Sequence, residues 1–346
     1  MIRAVLCLIV ACPTLAAAGC GGSGEPSEVV LVTHDSFAIS PDVKKAFEGE
    51  SGLTLEILKA GDAGELVTRS LLAAGNPEGD VLFGVDNNLL TRTLAGDVFE
   101  PYESPELASV DPALALDADH RATPIDRGDV CLNYDKAWYA DHDLAPPRNL
   151  VQLTLPRYRD QLVVENPATS TPGLAFMLAT IAEFGEKWQG YWRQLRANGV
   201  LAVDGWEDAY YSRFSGAAGS KGTRPIVVSY ASSPPAEVIF GKPRPSTAPT
   251  GVVESSCFRQ IEFAGVLRGA KNVEGAHELV DFLLSKRFQE DIPLQMFVFP
   301  ARTDAAVPPE FEQFAVVPEH PLELPPREID QNRESWVDQW TDIVVR

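Results

Sequence analysis

The chain has 346 residues and a formal net charge of -20, with 45% hydrophobic residues. Such acidity excludes an electrostatic partnership with nucleic acid, and no basic stripe with interleaved aromatics offsets it. The length exceeds what one hydrophobic core normally serves, so two lobes are expected.

The elements begin with a segment that reads as an address. Met1-Ile2-Arg3 is a short basic start, and Ala4 to Ala18 is an apolar run too short to span a bilayer, the pattern of a signal peptide. It ends in Ala17-Ala18-Gly19-Cys20, small residues before a cysteine, the pattern of a bacterial lipobox. The expectation is a signal over residues 1–19, with Cys20 lipidated and holding the protein to the membrane by its lipid alone. Residues 20–28, rich in Gly and Ser, read as a flexible tether. Loss of the signal removes Cys7 and Cys12, and lipid occupies Cys20. That leaves Cys131 and Cys257, which in an oxidising compartment point to one disulfide, against the alternative of two separate buried thiols.

The body alternates short apolar strands with amphipathic helices. Strands are expected over Val29–Thr33, Leu53–Leu58 and Asp80–Val85, with helices from Pro41 past Phe47 and over Glu65–Ala74. Ser40-Pro41 supplies an N-cap and a first-turn proline, and Gly52 a stop. This β-α-β-α-β run predicts a parallel sheet flanked by helices. A second region begins near Val130. It holds strands over Gln161–Val164, Pro225–Tyr230 and Phe258–Phe263, and helices over Pro172–Phe184, Lys187–Ala197, Gly275–Ser285 and Gln331–Val344. The fold class is therefore α/β, with two βαβ lobes joined by a hinge. Lobe 1 is expected over 29–128 and 259–303, and lobe 2 over 129–258 and 304–346. The chain would cross between them near Asp126–Cys131 and Cys257–Gln260, which would put a disulfide at the hinge.

Ligands of such sheets sit beyond the carboxyl ends of strands, beside helix N-termini. Four motifs fall there: His34-Asp35-Ser36-Phe37, Asp86-Asn87-Asn88, Thr169-Ser170-Thr171-Pro172-Gly173 and Ser229-Tyr230-Ala231-Ser232-Ser233. Asp204-Gly205-Trp206-Glu207 adds an aromatic on a turn. Singly, each reads more simply as a cap, a strand end or core. Together they mark one cleft.

The segments VTHDSFAISPDVKKAFE, DVLFGVDNNLL, ENPATSTPGLAF, DGWEDAYYSRF, VVSYASSP and IPLQMFVFPAR, in that order, resemble the periplasmic thiamine-binding proteins of ABC importers. The resemblance implies a type II-like two-lobed binding-protein fold. It also implies a monomeric, non-enzymatic receptor that hands thiamine or a thiamine phosphate to a permease and its ATPase, with no cofactor or metal. Ligand contacts carried over by it are Asp62, Ser170, Thr171, Trp206 and the run Tyr230, Ala231, Ser232 and Ser233. Phe297 stands where the family often has a tryptophan. Asp35, Ser36, Asp86 and Asn87 complete the expected set from their place after strands. His34 replaces a tyrosine, Ala63 a glycine, and Pro235, Ala236 and Glu237 occupy the region of a second tyrosine. Two further readings compete. Tyr210-Tyr211 with His34 resembles the tyrosine pair of ferric-ion receptors. Cys131 or Cys257, near Asp126 and Asp129, would serve a thiaminase-like enzyme as nucleophile. The remaining histidines, His120, His142, His277 and His320, are scattered.

Overall fold

The computed structural model describes residues 27–346. The expected signal segment, Cys20 and most of the tether lie outside the described residues. Within them no helix is long and apolar enough to cross a membrane.

The N-terminal half forms as its residues dictate. Strand β1 (Glu28–Thr33) leads into helix α1 (Pro41–Ser51), where the Ser40 hydroxyl accepts from the Val43 N–H and Gly52 closes the helix at φ 74°. Strand β2 (Thr54–Lys59), helix α2 (Ala63–Leu72) and strand β3 (Val81–Asp86) follow. β1 pairs in parallel with β2 and with β3, as the alternation predicts. Every residue of β3 is buried, because helices cover both faces of the sheet there.

After helix α3 (Leu90–Ala95) and the short strand β4 (Phe99–Glu100) comes the long strand β5 (Thr123–Asp135). The second half contains α4 (Lys136–Asp141), β6 (Leu162–Glu165), α5 (Thr171–Phe184), α6 (Trp188–Ala197), β7 (Leu201–Val203), β8 (Ile226–Tyr230) and α7 (Pro234–Phe240). It then returns through β9 (Thr250–Leu267), followed by α8 (Val273–Leu284), α9 (Lys286–Gln295), β10 (Phe299–Pro300), α10 (Pro309–Phe314) and α11 (Pro326–Val344). All strands belong to one sheet of order β2-β1-β3-β9-β5-β8-β6-β7, with β4 and β10 at its sides.

This sheet is the fold's central device. β5 and β9 are antiparallel partners along nearly their whole lengths, from Thr123↔Ala264 to Asp135↔Thr250. One end of the pair carries β3, β1 and β2, and the other carries β8, β6 and β7. The two ends are the two lobes, and β5 and β9 run through both. The register slips between Val130 and Leu132, where four residues of β9 bulge opposite Cys131. There Cys131 and Cys257 are joined by a disulfide, both sulfurs fully buried against Ala231. The Ser256 hydroxyl accepts from the Leu132 N–H at 2.8 Å and fixes the same bulge.

β9 is three times longer than the strand expected over Phe258–Phe263. Its first half, Thr250–Cys257, is too polar to show as a buried strand, and pairing of Thr250–Val253 with β5 rather than apolar alternation makes it one. Helix α11 starts five residues before the expected Gln331, at Pro326, a first-turn position where proline is pre-set for a helix.

Candidate functional site

A cavity of about 190 Å³ lies between the lobes. Five strand-to-helix junctions build it. From β1 come His34, Asp35 and Ser36, and from the start of α2 come Asp62 and Ala63. Thr171 and Pro172 open α5, and Trp206, Tyr211 and Tyr230 form an aromatic side. Met296 and Phe297, after α9, close the remaining edge with Glu262 of β9 behind them. Phe297 holds φ 60°, a left-handed conformation that costs a bulky side chain about 1–3 kcal/mol and is maintained by its surroundings. Its ring meets Phe240 of the other lobe edge-on, centroids 5.7 Å apart.

The lobes are closed on one another. Asp62 caps α2 by accepting from the Ala63 N–H at 2.7 Å, and its second oxygen accepts from the Trp206 N–H across the gap at 3.0 Å. Beside it the Glu65 N–H donates to the Thr169 carbonyl at 3.2 Å. Gly64 makes this approach possible, since a Cβ there would lie 2.5 Å from the Thr169 oxygen. Trp206 is fixed on three sides. Its indole N–H donates to the Ser229 hydroxyl at 3.0 Å, Ser229 bonds Ser233 at 2.9 Å, and Tyr210 stacks on the ring at 4.9 Å.

Acids dominate the charge in this region, set against Lys59 on the same wall, whose ammonium donates to the Asp35 carbonyl at 2.6 Å. Burial pushes the Asp62 carboxyl up to about 6 despite the two backbone donors. Burial and the neighbouring Asp86 push Glu262 up to about 8. Asp126 and Glu165 are also driven well above the usual carboxylate range by burial, Asp126 with the Glu262 carboxyl against it and Glu165 with both oxygens buried without a hydrogen-bond partner. Tyr230 stands among these acids, whose field, after burial, raises its phenol. His34 is held neutral, pulled down to about 4 by burial and by Lys59.

Of the expected residues, Asp35, Ser36, Asp62, Thr171, Trp206, Tyr230 and Phe297 line the cavity together. The others stand behind it. Asp86 is fully buried and accepts from the Asn88 and Leu89 N–H groups, while the Asn87 side chain accepts from the Ile261 N–H at 2.8 Å. Both tie the end of β3 to β9. Ala231 packs on the disulfide, its carbonyl accepting from the Val316 N–H. Ser170 and Ser232 are buried with unpartnered hydroxyls, and Ser233 positions Trp206 through Ser229. Sequence reasoning missed Glu262, Glu165 and the role of Asp126. Their signal was an acid inside an apolar strand, as in Ile261-Glu262-Phe263 and Val163-Val164-Glu165.

The two competing chemistries lose their geometry. Tyr210 and Tyr211 lie on the π-helical turn Asp208–Arg213 and diverge. Tyr210 is buried and donates its hydroxyl to Glu237 at 2.7 Å, whereas Tyr211 is 46% exposed on the cavity rim. One ligand face cannot receive both oxygens. Cys131 and Cys257, joined to each other, supply no thiolate.

Two lobes on a shared sheet with a closed cleft between them define the architecture of a solute receptor. The chain belongs to the bacterial extracellular solute-binding proteins, whose family model matches residues 76–318. It is similar to a thiamine-binding periplasmic protein of Salmonella typhimurium, 29% identical over 323 residues that cover 92% of this chain and 94% of that one. Among solved structures, a periplasmic thiamin binding protein superposes with a TM-score of 0.80 at 27% identity, covering 94% of this chain and 98% of the other. A ferric binding protein from Campylobacter jejuni shares the fold at a TM-score of 0.68 and 18% identity, over 91% of this chain and 99% of that one.

Proposed function

We propose that this protein captures thiamine outside the cytoplasm, anchored by a lipidated Cys20, and delivers it to an ABC importer as a monomer. The lobe boundaries expected from sequence, 29–128 with 259–303 and 129–258 with 304–346, are part of this reading. The observation that carries it is the meeting of an aromatic wall with buried acids in one inter-lobe cavity. Trp206, Tyr211, Tyr230 and Phe297 supply rings, and Asp62 and Glu262 supply carboxyl groups that a cation can draw into the ionised form. Thiamine presents the complement: a flat aminopyrimidine and a thiazolium with a fixed positive charge. A cation over an aromatic face contributes about 0.5–2 kcal/mol, the upper part of that range applying in a desolvated cleft. Thr171 at the start of α5 faces the same space and offers its hydroxyl to the ligand tail. The similarity to thiamine-binding proteins over nearly the whole chain supports the same ligand.

Titration calorimetry tests it. Thiamine is expected to bind with a Kd of about 1 μM or tighter, near -8 kcal/mol. Trp206→Ala is expected to weaken binding at least 2- to 30-fold, the range of one lost cation–π contact. Absence of heat at millimolar thiamine refutes the assignment, and the mono- and diphosphate esters measured alongside rank the phosphorylated forms.

A further inference from the structure

The acids of the cleft are arranged as a row. In the sheet register Asp86 of β3 stands opposite Glu262 of β9, and Glu262 stands opposite Asp126 of β5. Directly opposed like charges on adjacent strands are destabilising, and two close carboxyls cannot both ionise cheaply away from water. Here the sheet places three in line at its centre. Asp126 is fully buried with its carboxyl against that of Glu262, close enough for the two to share a hydrogen bond, and Glu262 reaches the cavity wall.

The surroundings do not neutralise the row. His34 approaches Glu262 at 3.7 Å from the β1 loop but is held uncharged, with Lys59 at the end of β2 contributing to that. Asp62 at the start of α2, Glu165 at the end of β6 and Tyr230 at the end of β8 add acidic groups. Arg333 of α11 acts on Asp86, at the far end of the row from Asp126. Lys59 shares the cavity wall but is tied to the Asp35 carbonyl at 2.6 Å, and among the described residues no lysine or arginine forms an ion pair with Asp126 or Glu262.

We propose that the Asp126–Glu262 pair is the charge-selecting element of the cleft: a ligand with a fixed positive charge takes the place of the proton the pair otherwise shares. Capture then releases one proton to solvent, and the protein prefers a cation to a neutral molecule of the same shape. The proposal rests on the reading of the cleft as a thiamine site and deepens it. By linkage, release of one proton makes affinity rise about tenfold per pH unit. The rise is expected up to the region near pH 8 where Glu262 ionises unaided.

Calorimetry of the full-length protein in buffers of differing ionisation enthalpy, from about pH 6.5 to 8.5, counts the protons released. The ligands are thiamine and its neutral isostere with thiophene in place of thiazolium. Thiamine is expected to bind with release of close to one proton and an affinity rising about tenfold per pH unit, the isostere with none and no such rise. Glu262→Gln and Asp126→Asn are expected to abolish the release and narrow the preference for thiamine. Thiamine that binds with no proton released and pH-independent affinity overturns the proposal while leaving the thiamine assignment intact. No binding of thiamine at all sinks both. Should either variant fail to fold, the proton count on the unaltered protein decides by itself.

Discussion

Reduction of the Cys131–Cys257 bond is expected to lower stability substantially without touching ligand affinity. The two cysteines are 126 residues apart, so the bond closes a large loop in the unfolded chain. Loop-closure entropy for that length amounts to about 5 kcal/mol at 25 °C. With an unfolding entropy near 2.1 cal/mol/K per residue over roughly 320 folded residues, this corresponds to a fall in Tm of roughly 7 °C. The conversion treats the lobes as one cooperative unit, which the passage of β5 and β9 through both requires. Neither sulfur lines the cavity, so the Kd for ligand should change by less than about threefold. Calorimetric melts of oxidised protein, and of protein refolded in reductant with two thiols then counted by alkylation, make the comparison on identical side chains. Melts that coincide within about 2 °C would show that the reduced unfolded chain is already constrained and that loop entropy is the wrong explanation.

The other expectations concern closure and pH. Gly64→Ala sets a methyl against the Thr169 carbonyl at 2.5 Å and should strain the closed form by about 1–3 kcal/mol, raising Kd roughly 5- to 150-fold. Small-angle scattering with saturating ligand should report a more open particle; unchanged affinity and dimensions would refute the closure role of this contact. Thermal stability of the ligand-free protein should rise as pH is lowered from about 8.5 to 6.5. Glu262 ionises near 8 when folded against an ordinary value of 4.5, so the native state holds a proton the unfolded chain has lost, and its stabilisation fades as pH climbs through 8. One proton is worth about 1.4 kcal/mol per pH unit, or roughly 2 °C by the entropy used above. His34, shifted down to about 4 from 6.5, acts in the opposite sense only below about 6.5, where the unfolded chain gains the proton first. A Tm that is flat over the upper window, or a slope unchanged in Glu262→Gln, contradicts this account.

Much of the fold was legible because local signals agreed with the global one. Ser40-Pro41 and Gly52 bracket α1 as caps should, and the apolar runs at β1, β3 and β8 are buried on both faces. The shared strands were less legible. The Thr250–Cys257 half of β9 carries Glu254, Ser255 and Ser256 in its bulge, and pairing of Thr250–Val253 with β5 is what holds it in the sheet. For the site, Trp206, Tyr230, Asp62 and Thr171 were readable as residues at junctions, and they meet at one cavity. Asp86 and Asn87 obeyed the same positional rule yet serve the backbone, because a junction places a side chain near a cleft without aiming it there. Glu262 faces the cavity from mid-strand, where the positional rule does not look. Register rather than sequence distance brings it opposite Asp126, 136 positions earlier, and register is a property of the assembled sheet.

The continuity of the sheet also governs how the molecule comes into being. β3 acquires its inner neighbour only when β9 arrives, and β5 stays unpaired on that flank until the same moment. Neither half can therefore finish before residue 267 has been made, although β1, β2 and β3 are complete by residue 86. Early strands must wait with an open edge while nearly two hundred further residues emerge, a long-range closure of the sort that slows folding and exposes intermediates to aggregation. Truncation anywhere before β9 should thus yield no folded fragment from either half.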